Sequence, residues 1–260
     1  MTQSNPTENL QAPPKPVRNW QARGRLLGMP IAIVSIWAAL FVAASAVPAL
    51  PVPGMTGMIT MNTIMTAISG AVLGPAAGVA NMVGAIISTI LFPFGSFFGL
   101  WGALTVTMGG LISGLLFANK WKLAGLLEVA LLVAWFVNPR AWQPWMWIVP
   151  LPYSLVTLLV IFVSPLRRWM RKQILTGSKA GLWAGVALIA TVGHSAEFMT
   201  SNVMTNYMYN LTWQYWVPTW PYWVGVDTVT IVMATVVGVG ILSGLRKARL
   251  IQAADIVPAA

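Results

Sequence analysis

The sequence predicts an all-α, polytopic transmembrane helix bundle of about eight spans with both termini in the cytoplasm. Three observations predict this fold class. Hydrophobic residues make up 57% of the chain and charged residues only 8%, whereas soluble domains carry about a quarter charged residues. Apolar runs of near-membrane length recur along the chain. The basic residues lie between these runs and do not form one solvated patch. A nucleic-acid partner is therefore not expected.

Eight apolar stretches approach the roughly 20 residues that a membrane-spanning helix needs. These stretches are 31–50, 57–73, 75–92, 98–118, 123–138, 145–163, 180–200 and 222–244. Leu73-Gly74-Pro75 breaks the run between the second and third, because proline disfavours helical geometry in the residue before it. A tight helical hairpin is predicted there, with one kinked span or a re-entrant pair as the alternatives.

The polar and basic segments flank the predicted bundle, which occupies residues 30–247. Residues 1–29 are predicted to be a flexible cytoplasmic tail, and residues 248–260 a second cytoplasmic tail. With eight spans and a cytoplasmic N-terminus, every Lys and Arg except Arg140 lies inside, as the positive-inside rule requires. The predicted location is therefore the inner or plasma membrane, with the lipid bilayer as solvent. Asn210 lies outside in an N-glycosylation acceptor pattern.

The first predicted span has a smooth face of small residues. Ser35, Ala39 and Ala43 recur every four residues, a spacing that lets membrane helices approach closely. This face packs either against the protein's own bundle or against a helix of a partner subunit.

Ionisable side chains within the spans are few, and they mark the candidate site. His194 and Glu197 are three residues apart and share one helical face. This pair can serve metal binding, proton transfer or recognition of a cationic ligand, and it can equally be a structural polar pair. Because the chain has one histidine and no cysteine, no metal site is predicted.

Further polar residues follow on the same predicted helix and at the start of the last span. Asn202 and Asn206 continue a stripe of amides, Tyr207 accompanies them, and Asp227 opens the last span. The six candidate ligand-binding residues are His194, Glu197, Asn202, Asn206, Tyr207 and Asp227.

Catalytic motifs are lacking in the sequence. It has no phosphate-binding Gly-x-x-x-x-Gly-Lys-Ser/Thr loop and no nucleophile-elbow motif to accompany His194. No enzymatic activity, no catalytic residue and no cofactor are therefore expected, and an ATP-driven function would need a separate ATPase subunit.

Four segments, taken in order, resemble the substrate-binding S components of energy-coupling factor (ECF) transporters. The alanine-rich first span followed by PALPVPG (48–54) is similar to that family's first helix and external loop, and GAVLGPAAG (70–78) to its second and third helices. Gly193-His194 resembles a pair seen in some members. VGVGIL (237–242), followed by the basic residues Arg246 and Lys247, resembles the family's last helix. That family has a six-helix core, so 123–163 would be an inserted hairpin.

The resemblance implies a subunit that captures a small, vitamin-like solute from outside, under the loop from Pro48 to Met55. It also implies a transmembrane coupling subunit, which would meet the small-residue face of the first span, and cytoplasmic ATPase subunits. Asp227-Thr228 departs from the acidic-arginine pair expected there. The alternative is a structural or accessory subunit that reuses the same bundle among other membrane subunits of a larger complex, which tryptophan-rich outer loops would suit.

Overall fold

The computed structural model describes residues 24–54, 57–95, 97–209 and 211–248. Within these ranges the chain forms nine α-helices and two small antiparallel β-hairpins. The strands are β1 (Arg25–Leu26), β2 (Met29–Pro30), β3 (Pro48–Pro51) and β4 (Met58–Thr60). The helices are α1 (Ile31–Ser45), α2 (Asn62–Leu73), α3 (Ala76–Leu91), α4 (Ala103–Phe117), α5 (Trp121–Val137), α6 (Leu151–Phe162), α7 (Ser164–Thr176), α8 (Lys179–Met208) and α9 (Trp213–Lys247).

The predicted all-α bundle is confirmed, and its helices fall into two length classes. In the described ranges three helices are long and apolar enough to cross a membrane: Gly99–Phe117, α8 and α9. The segment Met146–Phe162 and α7 reach that length only together, and they are bent by 85° at their junction. α1, α2 and α3 are apolar but shorter.

A tight hairpin precedes α1, in the last part of the predicted 1–29 tail. Arg25–Leu26 pairs with Met29–Pro30, and the turn residues Leu27 and Gly28 have φ values of 49° and 93°. Two positive φ values in a two-residue loop are typical of a type I′ turn. Residues 1–23 and 249–260 of the predicted tails, and Asn210, lie outside the described residues.

The predicted break at Leu73-Gly74-Pro75 is a tight helical hairpin between α2 and α3. Gly74 has a φ of 56°, a conformation that glycine adopts without the strain a Cβ would cause. The turn packs directly against α4, since a Cβ added to Gly114 would overlap the carbonyl of Gly74. The hairpin is thereby held against the centre of the bundle.

α2, α4 and α8 form the centre of the bundle, and their backbones approach closely at glycines. A Cβ on Gly109 of α4 would lie 2.6 Å from the carbonyl oxygen of Gly193 on α8. A Cβ on Gly193 would in turn lie 2.6 Å from the carbonyl oxygen of Ala67 on α2. Small residues permit such approach between membrane helices. Because His194 follows Gly193, this packing also sets the position of the histidine.

A buried asparagine joins the first four helices. The Trp37 indole donates to Asn81 Oδ1 over 3.2 Å, and Asn81 Nδ2 donates to Ser69 Oγ at 3.0 Å and to the Val106 carbonyl at 3.1 Å. Asn81 is completely buried, so each of these bonds replaces one to water. α1, α2, α3 and α4 are therefore linked through one side chain.

Basic residues collect at one end of the bundle, which we call the basic end: the start of α5, all of α7 and the end of α9. Arg246 of α9 donates from Nε to the Ile174 carbonyl at 2.8 Å and from Nη1 to the Gly177 carbonyl at 3.2 Å. These carbonyls end α7, where helical partners run out. The Arg167 guanidinium of α7 stacks 4.8 Å from the ring centroid of Trp121, which opens α5.

α9 begins at Trp213 and not at 222, so part of the tryptophan-rich segment expected to be an outer loop is helical. The burial of Trp216 against Trp135, with ring centroids 5.9 Å apart, holds this extension on the bundle. Pro218 and Pro221 lie inside the helix. Each proline lacks an N–H, which leaves the carbonyl four residues earlier without its helical bond.

We predict that Gly114→Ala destabilises the protein, because the added methyl group overlaps backbone of the α2–α3 turn that cannot move independently. Overpacking of this kind costs about 1–3 kcal/mol in the free energy of unfolding. Thermal unfolding in detergent, followed by tryptophan fluorescence, measures the loss as a lower Tm. The control is Gly240→Ala, since nothing lies within 4 Å of a Cβ at Gly240. Equal Tm values for the two variants would contradict the close packing.

Candidate ligand-binding site

A partly open, mainly apolar cavity of about 130 Å³ with several polar side chains in its lining lies among α2, α3, α4, α8 and α9, next to the β3–β4 hairpin. One water molecule needs about 10–15 Å³ by this measure, so the cavity has room for several waters or one small organic molecule. His194 in its lining is about four turns along α8 from Lys179, roughly 22 Å from the basic end. The cavity and the basic end therefore lie in opposite parts of the bundle.

Three of the predicted site residues meet in the cavity lining: His194, Glu197 and Asp227. His194 Nε2 lies 2.7 Å from Asp227 Oδ1, and His194 Nδ1 lies 3.9 Å from Glu197 Oε2. The i, i+3 spacing places His194 and Glu197 on one face of α8, whereas Asp227 reaches them from α9. All three side chains are buried.

Each of these three residues has one polar atom without a hydrogen bond. His194 Nδ1, Glu197 Oε2 and Asp227 Oδ2 have no hydrogen-bond partner in the described part of the protein. A buried polar atom left unpaired costs about 1–3 kcal/mol. The three atoms belong to cavity-lining residues but are themselves closed off from solvent, so an occupant reaches them only when these side chains turn toward the cavity.

Aromatic rings form one side of the cavity. Phe198 on α8 and Trp223 on α9 both line it, with ring centroids 6.1 Å apart, and the His194 ring lies 6.3 Å from Phe198. Phe97 and Phe98 add to the lining before α4. Apolar walls with a few placed polar groups are the usual makeup of a site for a small organic molecule.

The β3–β4 hairpin covers the cavity and is fastened to α9 by two tyrosines. Met58, Ile59 and Thr60 of β4 line the cavity. The Tyr215 hydroxyl donates to the Pro53 carbonyl over 3.0 Å, and the Tyr222 hydroxyl donates to the Pro51 carbonyl. The proline-rich segment is thus tied to the helix that carries Asp227.

The other three predicted residues lie outside the cavity lining. Asn202 and Asn206 are buried elsewhere on α8, where Arg140 Nη1 donates to the Asn206 carbonyl over 3.1 Å. Tyr207 is half exposed and donates to the Ala134 carbonyl of α5 over 3.0 Å. The reason is geometric: each step of four residues overshoots a full helical turn by about 40°, so Asn206 has rotated about 120° from His194.

Hydroxyl and amide side chains from other elements also line the cavity, and the sequence did not single them out. They are Ser45, Thr60, Asn62, Thr63, Ser88 and Thr105. Their signal is a set of small polar residues inside otherwise apolar helices. That signal is ambiguous, because such hydroxyls often donate to their own helix, as Ser88 does to Gly84 over 2.7 Å.

Although His194, Glu197 and Asp227 meet, no group of three His, Cys, Asp or Glu side chains in the described ranges is arranged to hold a metal ion. The fold and the site together define a helical bundle with membrane-length helices around a partly open cavity that carries two carboxyl groups and a histidine. No family model, no curated protein and no solved structure matches this chain.

We predict that Tyr215→Phe loosens the hairpin without unfolding the bundle, because it removes only the bond to the Pro53 carbonyl. Hydrogen exchange at the hairpin amides of Val52 and Met61 should become several-fold faster. Tyr207→Phe is the matched control, since its hydroxyl contacts α5 and not the hairpin. Unchanged exchange in Tyr215→Phe would show that this bond does not restrain the hairpin.

We also predict that the histidine signal depends on Asp227. The chain has a single histidine, so 15N-histidine labelling of a protein purified without a histidine tag gives the spectrum of His194 alone. Asp227→Leu removes the acceptor at Nε2 and should shift the Nε2 resonance. Glu128→Gln, a change at a buried carboxyl of α5 outside the cavity lining, should leave the resonance in place. A spectrum indifferent to Asp227→Leu would refute the pairing.

Proposed function

We propose that the chain is the substrate-binding membrane subunit of an ECF-type uptake transporter for a small, vitamin-like solute. The observation that carries this proposal is the covered cavity, in which buried polar atoms of His194, Glu197 and Asp227 lack protein partners. Unpaired buried side-chain atoms also occur away from the cavity, at Glu128 and Asn206, so the support for a ligand site is that three such residues line one cavity.

The proposal places the chain in the inner or plasma membrane with eight spans and both termini in the cytoplasm. The three described helices long enough to cross and the shorter apolar helices α1, α2 and α3 supply six of these spans. The segment Met146–Phe162 and α5 are proposed to supply the other two. The basic end supports the orientation, because Lys and Arg favour the cytoplasmic side. The cavity then belongs to the outer half of the bundle, where a nutrient arrives.

The small-residue face of α1 is proposed to receive the coupling subunit. Ser35, Ala39 and Ala43 are exposed, while Val34 and Phe41 on the other side of the helix are buried in the bundle. A face of small side chains allows a partner helix to approach closely in lipid. Energy for transport comes in this proposal from separate cytoplasmic ATPase subunits.

The ligand contacts are assigned to the residues of the cavity. His194, Glu197 and Asp227 are the polar contacts, and the hairpin from Pro48 to Thr60 covers the bound solute. Asn202, Asn206 and Tyr207 are assigned no direct contact, because they do not line the cavity. The segment 123–163 is proposed to be a hairpin added to a six-helix core.

A second function is favoured by one surface feature. Trp142, Trp145 and Trp147, between α5 and α6, are exposed, with 68%, 62% and 46% of their surfaces accessible. Exposed tryptophans are enriched where proteins contact one another, and they are also common at the membrane interface. A structural subunit of a larger membrane complex is therefore the alternative.

We predict that gentle purification of the chain in detergent retains a transmembrane coupling subunit and ATPase subunits, identified by native mass spectrometry. Ala39→Trp should release them, because the ring prevents close helix approach. Val232→Trp is the control, since Val232 is exposed on α9, away from the α1 face. Stoichiometric membrane partners unrelated to transport ATPases would replace the uptake proposal with the structural alternative.

A further inference from the structure

We infer that the molecule bound in the cavity is a small organic cation that carries its positive charge on nitrogen. This inference rests on the proposed uptake function, since it names the class of solute for that site. It is argued from the charge of the lining, the unpaired atoms, the aromatic wall and the size of the cavity.

The lining holds more acidic than basic side chains, so its charge is negative when both carboxyl groups are ionised. Glu197 and Asp227 are the carboxyl groups among the lining residues, and no Lys or Arg is found there. A protonated His194 would balance one ionised carboxylate, and it already pairs with Asp227 over 2.7 Å. The second ionised carboxylate would still lack a positive partner, and an unpaired buried charge is strongly unfavourable. A cationic occupant supplies the missing charge.

The unpaired carboxyl oxygens of Glu197 and Asp227 also favour a cationic occupant. Glu197 Oε2 and Asp227 Oδ2 lack partners in the described residues, and ionised carboxylates only accept hydrogen bonds. An occupant that donates hydrogen bonds therefore matches ionised carboxyl groups in the lining better than one that accepts them. The Tyr153 hydroxyl interacts with Asp227, but its single O–H cannot serve Glu197 as well. An ammonium group donates up to three hydrogen bonds and accepts none, whereas a carboxylate solute would add acceptors where acceptors are already in excess.

The aromatic wall stabilises the part of a cation that carries no donors. Phe198 and Trp223 lie beside the acidic groups, with Phe198 6.3 Å from the His194 ring. Cations gain about 0.5–2 kcal/mol over such ring faces. Phe97 and Phe98 extend the apolar lining toward the hairpin. The cavity thus offers acceptors at one side and ring surfaces at another, the pattern for an organic cation.

A bare metal ion matches the site less well. In the described ranges no group of three His, Cys, Asp or Glu side chains is arranged to hold a metal ion, and His194 Nε2 is already hydrogen-bonded to Asp227. A volume of about 130 Å³ also exceeds the space for one ion with its ligands, and an organic molecule fills it better.

The test uses two sets of matched probes on the full chain in detergent, with affinities from calorimetry. One set is benzylamine, benzyl alcohol and benzoate; the other is choline, 3,3-dimethylbutanol and 3,3-dimethylbutanoate. Within each set the molecules share a shape and differ in charge. We expect each cation to bind at least about tenfold tighter than its neutral isostere, as a charge-assisted contact implies.

Variants connect the selectivity to the cavity. Glu197→Gln, which keeps the shape of the side chain, should weaken cation binding by about tenfold or more, and Asp227→Asn should do the same. Glu128→Gln is the matched control, because Glu128 is a buried helical carboxyl outside the lining. Tm values of the variants establish that they are folded.

The outcomes separate this inference from the uptake proposal. Neutral or anionic probes that bind as tightly as the cations, an unaltered affinity in Glu197→Gln, or no cation binding at all would each overturn the inference. A neutral or anionic solute retained in a complex with coupling and ATPase subunits would also overturn it, while leaving uptake intact. Absence of those subunits would instead count against uptake, whatever the probes do.

Discussion

The backbone contact between α4 and α8 at glycine is the constraint on which the rest of the structure depends. At Gly109 a Cβ would collide with the carbonyl of Gly193, and Glu197 Cβ lies only 3.0 Å from that same position. The contact therefore fixes both the helix spacing and the depth of the acidic residues. Packing and site share the same turn of α8, so the site cannot be altered by moving the helix without opening the core.

The buried polar groups differ in how completely they are hydrogen-bonded. Asn81 uses both its amide group and its carbonyl, and it joins four helices in doing so. His194, Glu197 and Asp227 are equally buried but incompletely bonded. Burial alone would make these residues look alike. Glu128 and Asn206 also have unpaired buried atoms but lie outside the cavity lining, so it is the grouping of incompletely bonded residues around one cavity that sets His194, Glu197 and Asp227 apart.

Periodicity and turn chemistry made much of the fold predictable. Each apolar run coincides with most or part of one described helix, whereas α7 lies between two runs and α8 and α9 extend well beyond theirs. Gly74 with Pro75 ends α2 where the local backbone preference demands it. The i, i+3 rule also brought His194 and Glu197 together. The sequence could single out Asp227 only as an acidic residue within a span. Its contact with His194 depends on the packing of α8 against α9, which local sequence patterns do not predict. Asn202 and Asn206 do not line the cavity, because a four-residue repeat drifts around the helix. α9 begins earlier than predicted, in the segment where Trp216 packs against Trp135.

The two prolines of α9 have a mechanical consequence for the cavity. Pro218 and Pro221 remove two backbone hydrogen bonds from the stretch of α9 where Tyr215 and Tyr222 attach the covering hairpin. A helix bends more easily where backbone hydrogen bonds are missing than in its regular parts. Because Tyr215 and Tyr222 bond to the hairpin, the hairpin and the start of α9 are coupled. Tyr215 precedes both prolines and Tyr222 follows them on the same side as Asp227, so the two attachments of the hairpin lie on either side of the weakened stretch.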